Sequence, residues 1–128
     1  MGLRETIYSR CTTHAGTKAL VTARVYPDLV PEDPTWPLIV YHRVSANDGD
    51  YRDHDAPTTR EISRVQLDCY DDTSDGAADL ADQVQAAFNG WSSGSAVGWA
   101  FKANRVAGYD VALKAYRQVV DVMIEHEI

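Results

Sequence analysis

The side chains that could do chemistry in this chain are few, and their spacing argues against most of the chemistry. Four histidines, His14, His42, His54 and His126, have no i, i+4 pairing and no cysteine at metal-ligand spacing, so no zinc-site pattern is present. His42, inside a β-branched run, reads as a hydrogen-bonded sheet residue. Cys11 and Cys69 lie far apart and outside any C-x-x-C spacing; two free thiols is the reading, with Cys69 on a core-facing strand position. The run Asn47-Asp48-Gly49-Asp50-Tyr51-Arg52-Asp53-His54-Asp55 offers oxygen ligands. Its glycine comes third and no bidentate Glu closes it, so it does not match a helix-flanked calcium loop. No serine sits in G-x-S-x-G, and no Lys follows the glycines of 90–98, which excludes a nucleophile elbow and a phosphate loop. Asp68 and Asp121 could meet across neighbouring strands as a carboxylate pair. Pairing with Arg64, Arg117 or an arginine of another subunit is the simpler expectation. No catalytic residue, metal or cofactor is expected.

Other residues are better suited to contact than to reaction. Trp36 stands in a proline-rich stretch, where it either anchors a partner or staples its own loop. Tyr51 and Arg52, flanked by Asp50 and Asp53, are of the types enriched where proteins meet. With Arg60, Arg64 and Arg117 they form the expected interface set. Trp91, Trp99 and Phe101 read as core.

The elements that must position these residues follow from apolar periodicity. Leu3, Ile7, Tyr8 and Cys11 predict a short helix stopping near Ala15-Gly16. A brief β piece, Ala23 to Tyr26, is closed by Pro27. Prolines at 27, 31, 34 and 37 forbid a helix and predict an extended surface connection. Leu38 to Val44 is a strongly β-branched strand. Residues 46–60 are polar, without a core pattern, and predict a long exposed hairpin arm. In Ile62 to Tyr70, Val65, Leu67 and Cys69 alternate with polar residues, the mark of a half-buried strand. Asp71 to Asp75 supply caps for an amphipathic helix from Ala77 to Phe88, ended by Asn89-Gly90. Val97 to Val106 and Tyr116 to Glu125 complete the strands. The order predicts one α+β domain over 1–128: a mixed, mainly antiparallel sheet, two main helices on one face, and the protruding arm.

Bulk properties narrow the function. The chain has 128 residues and a net charge of −7, a balance opposite to that of a phosphate-neutralising protein, so direct sequence-specific nucleic-acid binding is not expected. No apolar run reaches the ~20 residues needed to span a bilayer, and Met1 to Thr13 lacks an apolar signal core. A soluble protein made in the cytoplasm, without a membrane partner, is expected.

Laid out in this order, the chain resembles the phage tail completion, or tail terminator, family. Ala23-Arg24-Val25-Tyr26-Pro27 with Pro34, Pro37 and the strand Leu38-Ile39-Val40-Tyr41 carries the likeness. So do Arg64-Val65-Gln66-Leu67-Asp68-Cys69-Tyr70, the alanine-rich helix Ala77 to Phe88, and Arg117-Gln118-Val119-Val120-Asp121-Val122. The acidic arm departs from the family pattern. The resemblance implies a virion structural protein at the head-proximal end of the tail. It would be a homo-hexameric ring that caps the tail tube protein and offers a surface to head-tail connector proteins. A ring forms when a head-to-tail contact closes on itself, and the arm and strand ends are expected to carry it. Two other readings stand beside this one: a neck protein on the connector side, and a cytoplasmic α+β domain binding a ligand.

Overall fold

The computed structural model describes residues 2–48, 60–94 and 96–127. Three helices, α1 (Leu3–Thr13), α2 (Ala15–Val21) and α3 (Ser74–Phe88), accompany five strands: β1 (Val25–Pro27), β2 (Leu38–Asp48), β3 (Arg60–Asp71), β4 (Val97–Asp110) and β5 (Ala115–Glu127). The strands make one sheet in the order β1-β2-β3-β5-β4. β1 runs parallel to β2 and every other pair is antiparallel. The α+β expectation holds in this mixed, mainly antiparallel sheet.

The larger of two buried clusters lies on one face. Ile39 and Tyr41 of β2, Val65, Leu67 and Cys69 of β3, and Val120, Val122 and Ile124 of β5 are buried together with Ile7, Cys11, Val21, Leu80, Val84 and Phe88 from the three helices. The alternation read in Ile62 to Tyr70 therefore faces the helices as expected. Burying both thiols in this apolar layer disfavours their charged forms. The Cys11 thiol is pushed up to about 12, and that of Cys69 well above the ordinary range. Both cysteines are free.

Local chemistry sets the boundaries. The Thr73 hydroxyl accepts from the Gly76 N–H at 3.0 Å to cap α3. Gly90, at φ +79°, takes the left-handed turn that ends the segment after α3, a conformation other residues resist. The first helix stops at Thr13, but a second one that the periodicity missed begins at Ala15. Gly16 is not a terminator. A Cβ there would stand 1.9 Å from Gln83 Oε1, so Gly16 permits close packing against α3 as that side chain lies. Seven residues hold too little of a 3.6-residue period to announce a helix.

The β2–β3 ladder reaches Asp48 and Glu61, so the ends of the stretch read as an arm are strand. The rest of that stretch, with Asp50, Tyr51, Arg52 and Asp53, lies outside the described residues.

Candidate functional site

The face opposite the helices gathers the remaining expected contact residues. In the ladder, Tyr70 stands beside Arg117, Asp68 beside Val119, Gln66 beside Asp121 and Arg64 beside Met123, all on strand positions offset by one from the buried row. The lower part of this face is covered. Leu38, Val40, Tyr70 and Ala115 are buried there under Tyr26, Val30, Trp36 and Leu113. The Trp36 ring lies 6.0 Å from that of Tyr70, so this tryptophan packs its proline-rich loop onto the sheet.

Above that cover the face carries charge and aromatics. Arg60 donates from Nε to Glu125 Oε1 at 2.8 Å, a bond that holds its guanidinium above its usual range. Arg64 donates to Asp121 Oδ2 at 2.5 Å, with Arg64 half-exposed and the carboxylate buried. Arg117 is raised by its hydrogen bond with the Tyr70 hydroxyl. Asp68 is buried, and the lost hydration raises its carboxyl above the ordinary range, opposed by the nearby His42 and Arg117. Three buried polar atoms on this face, Asp68 Oδ1, Arg117 Nε and Asp121 Oδ1, have no hydrogen-bond partner. The structure thus brings Arg60, Arg64, Arg117 and Trp36 onto one surface, and pairs Asp121 with Arg64 as the simpler reading expected.

Trp99 and Phe101 correct the sequence reading. Both were expected in the core; instead they are 38% and 45% exposed, and their rings stack at 5.4 Å on this open face. The register shift between Val97 and Trp99 puts Val97 and Ala100 into the core and turns the two aromatics outward. Alternation could not signal this, because the extra residue at Gly98 sets the buried Val97 and Ala100 three apart. Trp91 is partly buried, edge-on to Phe88 at 5.6 Å with the Arg10 guanidinium 5.0 Å over its ring.

One arrangement looks like reactive machinery. Ser63 Oγ lies 2.7 Å from His126 Nε2, and His126 Nδ1 lies 2.7 Å from the Glu127 carbonyl. Because a carbonyl only accepts, Nδ1 carries the proton and Nε2 accepts from the serine hydroxyl. Ser63 is 0% and His126 4% exposed, so the pair is closed to a substrate and acts as a satisfied core bond. His42 likewise bonds to Gln66 across the sheet. Among the described residues, no group of three or more His, Cys, Asp or Glu is placed to hold a metal ion.

The fold is thus a helix-backed sheet whose other face keeps exposed aromatics and arginines and whose long β4 strand is an edge, an architecture built without a catalytic or metal-binding cluster among the described residues. The comparisons give the particular family. A family model described as "Tail completion protein gp17" matches residues 5–127, and the chain belongs to that family, whose members are structural proteins of phage tails. A chain from a solved structure titled "Virion of native gene transfer agent (GTA) particle" shares the fold at a TM-score of 0.70, with 18% identity over 98% of this chain and 95% of that one. No curated protein matches. The protein is a component of the virion tail.

Proposed function

We propose that the protein caps the completed tail tube as a homo-hexameric ring and presents its far side to head-tail connector proteins, without catalysing a reaction. The observation that carries this reading is the family match across residues 5–127. Ring formation by a small domain needs a head-to-tail contact that closes, and the open face and sheet edges offer surfaces for it. Arg60, Arg64 and Arg117, with Trp36 and the acidic-aromatic stretch Asp50, Tyr51, Arg52 and Asp53, are the residues proposed to meet the tube protein or neighbouring subunits.

Electron microscopy of particles from a phage or prophage lacking this gene tests it. Overlong tails without heads are the expected result. Tails of normal length that fail to join heads would move the protein to the connector side. Intact infectious particles would overturn the reading and leave a ligand-binding domain as the alternative.

A further inference from the structure

Resting on the ring reading, we propose that neighbouring copies join sheet to sheet: the outer edge of β4 in one copy pairs with the outer edge of β2 in the next. Strand polarity permits this. β2, β3, β5 and β4 alternate in direction, so β4 runs opposite to β2. Rotating a copy about a ring axis keeps strand directions relative to that axis, and β4 then meets the next β2 antiparallel. Four long strands, an even number, let the alternation continue across the boundary.

The open stretches of these two edges lie at different levels. The first half of β4 is already occupied on its outer side. Val97 exchanges bonds with Ser93, the Ala100 carbonyl accepts from the Gly90 N–H at 2.9 Å, and the Lys102 N–H donates to Asn89 Oδ1 at 3.1 Å. Beyond it the Arg105 N–H is taken by Asn104 Oδ1, and no described strand lies outside 103–110. On β2 the opposite holds. β1 covers Ile39 to Tyr41, and the Asp28 N–H adds a bond to the Tyr41 carbonyl at 3.0 Å. Residues 42–48 have no strand outside them among the described residues.

Ring closure supplies the offset. Ladder partners place Ser45, Arg64, Met123 and Phe101 on one row. Strands of closed sheets tilt by about 35–45°, and four strands ~4.8 Å apart span roughly 19 Å, so one copy steps by roughly 13–19 Å, about four to six residues. Only an even step keeps each side chain on its own face. Counting past the bulge at Ala103, four rows bring Ser45 to Val106 and six bring it to Gly108. With the β3–α3–β4 crossover right-handed, as such connections are, the right-handed strand tilt of a barrel gives the step this sense when the helices face outward. Without a step Arg43 shares its row with Lys102, a like-charge pair; with it, Arg43 leaves that row for Ala107 at four rows or Tyr109 at six.

Cysteine pairs in the full chain test this. Ser45 and Val106 are exposed and an added Cβ at Gly108 meets nothing within 4 Å, while the native Cys11 and Cys69 are buried. Under mild oxidation at concentrations where electron microscopy shows rings, S45C/V106C or S45C/G108C should give covalent ladders up to the ring number, and S45C/F101C should stay monomeric in denaturing gels. Rings in which S45C/F101C cross-links instead would overturn the staggered pairing. Rings in which no pair cross-links would overturn edge joining while leaving the ring intact. If no variant and no wild-type protein forms rings at any concentration or on particles, the ring reading falls and this inference with it.

Discussion

The two faces of one sheet follow different rules. Toward the helices, β3 and β5 bury Val65, Leu67, Cys69, Val120, Val122 and Ile124, and the residues are those any folded core requires. On the other face the same strands carry Arg64, Gln66, Asp68, Arg117, Asp121 and Met123, and β4 adds an exposed aromatic stack. Three buried polar atoms there are unpartnered, a cost of roughly 1–3 kcal/mol each in isolation. The difference teaches that one sheet can bury an apolar row against its helices while its other face keeps charged groups and an aromatic stack.

The comparison can be broken at several points, and the largest effect should come from the covered face. Phe88→Ala removes a fully buried ring and should cost about 3–5 kcal/mol, read by urea denaturation; a loss below about 1 kcal/mol would mean the helical layer is not the stabilising one. Ser63→Ala strips the hydroxyl that serves His126 and should cost about 1–3 kcal/mol, with secondary structure by circular dichroism unchanged. A neutral outcome would mean that the imidazole finds another partner.

Asp68→Asn addresses the open face. Burial holds the Asp68 carboxyl above its unfolded value, so the folded state favours the protonated form. That preference is fully expressed below the unfolded pKa and is lost as pH rises through the folded one. The variant should therefore melt higher than wild type at pH 7, and the gap should close toward pH 3. A gap that widens on acidification would show that Arg117 and His42 dominate over desolvation. The smallest stability change, within about 1 kcal/mol, is expected for Trp99→Ala, because its ring is over a third exposed. A large loss would place Trp99 in the fold's own packing. Unchanged stability together with impaired assembly on particles would sharpen the contrast between the faces.

Much of this molecule is set by its sequence. Period-two alternation from Val65 to Cys69 and from Val120 to Ile124, and period-3.6 recurrence from Ala77 to Phe88, dictate two strands and a helix, because each pattern has only one regular structure that buries it. Four prolines fix the extended loop, and the order of these elements along the chain carries the family resemblance. The tertiary structure alone decided the rest. α2 is too short for its period to register and exists because α3 and the sheet give Thr17 and Val21 somewhere to be buried. Trp99 and Phe101 look like core by composition, yet the register shift at Gly98 turns them outward. Ser63 meets His126 63 residues away only because β3 and β5 become neighbours. Periodicity fixes which residues of a segment share a face; only the packing of distant segments decides which face is covered and which edge is left open.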